Sequence, residues 1–223
     1  MSQPQIQRAT QRKVLVVEDE PLILGFIVQL LQGNGFDVRS AATAAEARKV
    51  SDEFHPDVAV LDIELGNGPS GFDLAVVLRH NLPEIAIVFL THIPEPRVVG
   101  LDSRDLPSNA AYLVKDRMTD PTLLMKAIDG ALRKTVRRKF RDDKNVPHSL
   151  SDVSKSQLAV LQMVALGLSN QQIAAERGTT IRAVENLVNR AFEAAGIDAD
   201  GAENPRVAAA RAFIKVAGLP HGK

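Results

Sequence analysis

Four short apolar runs in the first half of this chain each end on a polar side chain, and their spacing restricts the fold more than any other feature. Lys13-Val14-Leu15-Val16-Val17 runs into Glu18-Asp19-Glu20, Val58 to Leu61 into Asp62, Ile85 to Leu90 into Thr91, and Ala110 to Val114 into Lys115. Short continuous apolar runs bounded by turn formers are the pattern of strands buried on both faces. A carboxylate is costly to bury alone. The carboxyl end of a strand suits it better, because open α/β sheets keep their ligand crevice there.

Between the runs the period changes. Pro21 suits the first turn of a helix, and Leu22, Phe26 and Leu30 give helical spacing as far as Gln32, where Gly33-Asn34-Gly35 stops it. Phe36 to Ser40 reads as a further strand. Thr43 with Glu46 forms a capping box for a helix to about Phe54. Helices are also predicted over Phe72–Arg79, over Arg97–Arg104 as a short segment, and from Asp120-Pro121 to about Arg133. Five strands alternating with five helices predict a five-stranded parallel, doubly wound (flavodoxin-like) α/β domain over residues 12–134.

From Ser151 the apolar pattern is helical only. Segments at Ser156–Ala165, Asn170–Arg177, Ile181–Ala194 and Asn204–Ala217 are separated by Gly167, Gly178 and Gly196 and predict an all-α four-helix domain over 151–220. Residues 135–150 read as a helix tail (Lys134 to Arg141) and then a linker carrying Pro147. Charge is uneven. Residues 1–134 carry 14 basic and 18 acidic side chains, whereas residues 135–150 carry 5 and 2. The chain has no cysteine, which excludes disulfides, thiolate metal sites and thiol nucleophiles and fits a reducing cytoplasm. No apolar run approaches the roughly 18 residues of a membrane span. The polar, Gln-rich first dozen residues lack a signal-peptide core and read as a disordered leader.

A right-handed parallel sheet brings the four polar strand ends to one edge. Glu18, Asp19 and Asp62 form an oxygen-only ligand set that suits a hard cation, Mg²⁺ above others. Lys115 can balance a carboxylate or a phosphoryl oxygen, and the Thr91 hydroxyl can donate to one. Singly each residue is unremarkable as a cap, a solvated pair or a surface lysine. Together they can hold a phosphoryl group on Asp62. Val-Val-Glu18-Asp19-Glu-Pro, Val-Leu-Asp62, Phe-Leu-Thr91 and Tyr112-Leu-Val-Lys115 resemble the receiver domain of two-component response regulators. The resemblance implies that a sensor histidine kinase or phosphotransfer protein phosphorylates Asp62, that Glu18, Asp19 and Asp62 hold Mg²⁺, and that Thr91 and Tyr112 form the switch. It implies no independent enzymatic turnover beyond slow autodephosphorylation.

Three features depart from that pattern. His92 replaces a small residue beside the phosphoryl position, where its bulk should limit water or change hydrolysis; the alternative reading is a loop His that points to solvent. Pro94 and Pro96 stiffen the loop after Thr91, and Gly66 stands in place of a proline in a longer loop. Gly66-Asn67-Gly68-Pro69-Ser70-Gly71 formally matches a dinucleotide fingerprint. Such a site uses the first βα turn, however, and here that turn carries acids that would repel a pyrophosphate.

In the C-terminal region, Asn170–Arg177 and Ile181–Ala194 joined by Gly178-Thr179-Thr180 fit a helix-turn-helix. Ile181, Val184, Val188, Ala191 and Ala195 fall on one face, predicted buried, and Arg182, Glu185, Asn186, Asn189 and Arg190 on the other, as candidate DNA-reading residues. The stretches from Leu158 to Ala174 and from Ala183 to Val188 resemble the LuxR/NarL-type DNA-binding domain, which implies a DNA partner and a homodimer when active. Glu185 and Glu193 stand where basic residues are usual, and Leu187 where His is common. The reading is a phosphorylation-switched, DNA-binding transcriptional regulator of the cytoplasm. The alternative is a receiver-containing, protein-binding adaptor whose helical output domain does not bind DNA.

Overall fold

The structure, a computed structural model, describes residues 11–66, 68–99, 101, 105–144, 150, 152–198 and 203–217. The Gln-rich leader up to residue 10, the linker around Pro147 and part of the helix expected over Arg97–Arg104 lie outside the described residues. The chain divides into two compact units. One comprises the chain up to Thr91 together with Pro107–Phe140, and the other comprises His92–Leu106 and the chain from Arg141 onward.

The first unit is a five-stranded parallel sheet in the order β2-β1-β3-β4-β5, with β1 at Lys13–Val17, β2 at Asp37–Ala41, β3 at Val58–Leu61, β4 at Ala86–Thr91 and β5 at Ala111–Val114. The three inner strands and the edge strand β5 are buried almost throughout, as their unbroken apolar runs require. Alternate residues divide between two layers. Val14, Val16, Val58, Val60, Val88, Leu90, Ala111 and Leu113 pack with α1 (Pro21–Gly33) and with a later helix over Thr122–Leu132. α2 (Ala44–Phe54) and α3 (Gly71–Asn81) follow β2 and β3, and the Thr122–Leu132 helix, here α4, follows β5. Each large apolar side chain taken fully out of water contributes about 1.5–3 kcal/mol.

Local signals account for most helix ends. Thr43 accepts from the Glu46 N–H, and Ser70 and Asp73 form a reciprocal capping box at α3. Two expectations, the tail after α4 and the helix over Arg97–Arg104, need correction, and α1 shows a choice that its period leaves open. Leu22 and Phe26 share the helical period of α1 but are exposed, and the helix buries Ile27 and Leu31 instead. The period identifies a helix without saying which of two adjacent apolar stripes meets the sheet. The tail expected over Lys134–Arg141 is not a continuation of α4. Lys134 adopts φ 55°, which breaks the helix, and only a 3₁₀ turn at Arg138–Phe140 follows. Over the described part of the helix expected at Arg97–Arg104, the structure has a 3₁₀ turn at Pro96–Val99.

The second unit carries four helices, α5 (Lys155–Ala165), α6 (Asn170–Glu176), α7 (Ile181–Ala194) and α8 (Pro205–Ala217). Ser154 with Gln157 and Ser169 with Gln172 form capping boxes at α5 and α6, and Thr180 caps α7 by accepting from the Ala183 N–H. Leu158, Leu161, Ile173, Val184, Val188 and Phe213 centre the core.

Candidate phosphoacceptor site

Strand order puts the site where it is. The order of connection reverses between β1 and β3, so the crossovers from these two strands leave on opposite faces and open a crevice at their carboxyl ends. Glu18 follows β1 and Asp62 follows β3. The Asp62 N–H donates to the Val17 carbonyl at 2.9 Å, and the Glu18 N–H to the Ala41 carbonyl at 3.1 Å, so the ladder extends just far enough to hold both residues. Glu18 is 1% exposed and Asp62 4% exposed. Asp19 is exposed.

Lys115, the first residue after β5, reaches back across β4 and β3. Its Nζ donates to Asp62 Oδ2 at 2.7 Å and lies 2.9 and 2.7 Å from the two Glu18 carboxylate oxygens. Burial pushes the Glu18 carboxyl above its ordinary range, and the Asp62 charge adds to this against the opposing Lys115. Burial alone would lower the Lys115 ammonium. The charges and hydrogen bonds of Asp62 and then Glu18 outweigh it and hold the ammonium above its ordinary value. At neutral pH the lysine is therefore a fixed cation between two buried carboxylates.

One carboxylate oxygen from each of Glu18, Asp19 and Asp62 lies within 4.8 Å of the other two. This all-oxygen set fits a hard divalent cation, with Asp19 supplying the solvent-facing side. Thr91 closes β4 opposite Val114 and is fully buried. Tyr112 is also fully buried, with its ring 6.1 Å from that of Phe89, which in turn stacks on Phe72 at 6.4 Å. The sheet thus brings Glu18, Asp19, Asp62, Thr91 and Lys115 to one edge and sets Tyr112 in the layer beneath it.

Two glycines belong to this site and were not singled out for it from sequence. A Cβ on Gly71 would sit 1.7 Å from the Asp62 carbonyl oxygen and 2.8 Å from its carbon. The Gly71 N–H donates to the Ile63 carbonyl at 3.0 Å. The start of α3 is therefore pressed onto the backbone of the acidic residue itself. Gly66 has φ 64°, and a Cβ there would lie 3.3 Å from Asp19 Oδ2. Two of the three glycines that imitate a dinucleotide fingerprint, Gly66 and Gly71, serve close packing beside carboxylates. The only sequence signal for this was a cluster of glycines immediately after the Asp62 strand.

A family model for the response regulator receiver domain matches residues 14–100. That stretch, which holds β1 to β4 with Glu18, Asp19, Asp62 and Thr91, is similar to the receiver domain of response regulators. A nitrate/nitrite response regulator homologue of Haemophilus influenzae is 28% identical to this chain over 172 residues, spanning 74% of this chain and 80% of the relative. The oxygen regulatory protein NreC of Staphylococcus aureus is 24% identical over 188 residues, spanning 78% and 86%. Among solved structures, the response regulator RcsB in a DNA complex matches with a TM-score of 0.58 at 18% identity, spanning 92% of this chain and 99% of that one. At that identity the likeness is one of fold, and it covers both the receiver and the helical region.

In the helical unit, α6 and α7 are joined through Gly178 at φ 61°. Val184, Val188, Ala191 and Ala195 are buried, and Phe192 joins them. Ile181, expected on that face, is 46% exposed, because at the first position of α7 it lies beyond the edge of the core. Arg182, Glu185, Asn186, Asn189, Arg190 and Glu193 are all exposed. Gln157 Nε2 donates to the Arg190 carbonyl at 3.1 Å, fixing α7 against α5. Among the described residues, no helix is long and apolar enough to cross a membrane.

Replacing Lys115 by Met tests the electrostatics of the receiver pocket. Removing one partner of a buried charge group leaves two buried carboxylates uncompensated, at a cost of about 3–5 kcal/mol. Thermal denaturation of Lys115→Met in metal-free buffer should show a loss of that order at neutral pH. Glu18 already has a raised folded-state pKa and rises further in the variant. The penalty therefore grows as pH rises through the interval between its unfolded and folded values, and shrinks below it. A variant as stable as the parent at neutral pH would show that Lys115 does not balance these charges.

Proposed function

We propose that Asp62 accepts a phosphoryl group from a sensor histidine kinase or phosphotransfer protein, and that this controls a DNA-binding output unit and transcription. In this reading residues 12–134 are the input, 135–150 the link and 151–220 the output. The observation that carries it is the placement of the Lys115 ammonium 2.7 Å from Asp62 Oδ2 at the sheet's switch point, among three carboxylates.

The step follows from these groups. An oxygen of the Asp62 carboxylate attacks phosphorus while the P–N bond of a phosphohistidine breaks, and the electron pair leaves with the nitrogen. Lys115 is placed to offset the negative charge added to Asp62. Glu18, Asp19 and Asp62 would hold Mg²⁺, which supplies further charge neutralisation for the phosphoryl oxygens. The Thr91 hydroxyl then donates to the new phosphoryl group, and Tyr112 moves with it as the second half of a two-state switch.

On the output side, α7 presents Asn186, Asn189, Arg182 and Arg190 to solvent, groups able to read adenine, guanine or phosphate in a major groove. The RcsB structure was solved with DNA and shares this fold. Selection from random duplexes by the phosphorylated chain should enrich a site of two half-sites, as a homodimer requires. Alanine at Asn186 or Arg190 should then weaken binding to the selected site by about 1–3 kcal/mol each. The exposed Glu185 and Glu193 favour a protein-binding adaptor instead. Absence of salt-sensitive binding to any duplex would decide for that reading.

A further inference from the structure

In a parallel sheet the connection from one strand to the next normally carries a helix packed on the sheet. The connection from β4 to β5 departs from this, and its residues His92–Leu106 pack as part of the second unit. The anchor is an ion pair within the connection. Glu95 is 1% exposed. Arg97 Nε donates to Glu95 Oε1 at 2.9 Å and Nη2 to Oε2 at 3.0 Å, a two-pronged bond that fixes the guanidinium plane. The outer face of that plane is also used. Nη1 donates to the Val153 carbonyl and Nη2 to the Leu150 carbonyl, each at 2.8 Å.

Leu150 and Val153 are buried and lie four residues and one residue before Ser154, the residue that caps α5. Val98, one residue after Arg97, packs on the core formed by α5, α6, α7 and α8. One guanidinium therefore holds two main-chain carbonyls at the head of the output helices. A buried ion pair contributes little net stability but has strict geometry, so it suits a registering role better than a stabilising one. The chain leading to it is short. Glu95 lies four residues after Thr91, a reach of at most about 14 Å. Pro94 and Pro96 flank Glu95 and restrict its backbone.

We propose that Glu95 and Arg97 are positioning residues that carry the phosphorylation state of Asp62 to the head of α5. The inference rests on the phosphoacceptor reading above. A shift of Thr91 toward the phosphoryl group is passed along a stiff four-residue tether to Glu95. Arg97 follows its carboxylate and loosens its hold on Leu150 and Val153, so the start of α5 opens more readily in the phosphorylated chain.

Hydrogen exchange of the full chain, with and without beryllofluoride and Mg²⁺, tests this. The ¹⁹F signal of the adduct on Asp62 is read in parallel. In the parent, amides in the peptide spanning residues 152–158 should exchange roughly tenfold faster once the adduct forms. Arg97→Lys keeps a cation beside Glu95 but loses the planar fork. It should show the faster rate with or without adduct, while its ¹⁹F signal matches the parent. Glu95→Gln combined with Arg97→Gln removes both charges and should behave the same, which guards against local repacking in either variant. A residue of purely structural importance would instead raise exchange in both states and leave their ratio intact, and that result overturns the inference. It is also overturned if the parent forms the adduct without any change in this peptide. Absence of the ¹⁹F adduct in the parent sinks the phosphoacceptor reading itself and the inference with it.

Discussion

Asp62→Asn should reduce incorporation of phosphate from acetyl phosphate to background, a fall of roughly a thousandfold or more. The amide has nearly the shape of the carboxylate but neither its charge nor its nucleophilic oxygen. The fold should survive the change. Asp62 shares the Lys115 ammonium with Glu18 at 2.7 Å, so the cation keeps a partner, and repulsion among three clustered carboxylates is relieved. Melting temperatures close to that of the parent, measured beside phosphate content by intact mass, would separate loss of chemistry from loss of structure. Full incorporation by the variant would place the acceptor elsewhere.

Gly71→Ala should be the most damaging single methyl group in the receiver. The new Cβ would meet the Asp62 carbonyl oxygen at 1.7 Å, and both contacts under 3 Å are with backbone atoms, so no side chain can rotate away. Either α3 lifts from the sheet or the end of β3 is displaced. Overpacking of this kind costs about 1–3 kcal/mol and more where the obstacle is rigid. We expect a loss of at least about 3 kcal/mol by chemical denaturation, together with impaired phosphate uptake, since the displaced atoms belong to the proposed acceptor residue. Gly68→Ala is the control, because a Cβ there meets nothing within 4 Å, although its φ of 133° adds local strain. If Gly71→Ala is no more harmful than this control, the close approach of α3 to Asp62 does not constrain the site.

Much of the candidate site was legible because strand periodicity and topology act together. A run such as Val58–Leu61 must be buried on both faces, and right-handed parallel connections bring all such runs to the same edge. The identity of the residue after each run then lists the members of the site. Periodicity was weaker on α1. Leu22 and Phe26 repeat as regularly as Ile27 and Leu31, and only the sheet decides which stripe is covered. It was weaker again between β4 and β5. Residues 97–104 read as a helix because local pattern does not register the distant partners that Arg97 finds within the second unit.

By itself, then, the sequence determined the alternation of strands and helices, the polar group at each strand end and the helical pair with Gly178 at its turn. These depend on near neighbours along the chain and on the fixed hand of parallel connections. Tertiary structure decided what depends on distant atoms. It bridges Lys115 between Glu18 and Asp62, leaves Gly71 no room for a methyl group against the Asp62 carbonyl, and gives Arg97 to carbonyls more than fifty residues away. Such contacts are set by packing in three dimensions, where a residue's partner is whatever the fold brings beside it.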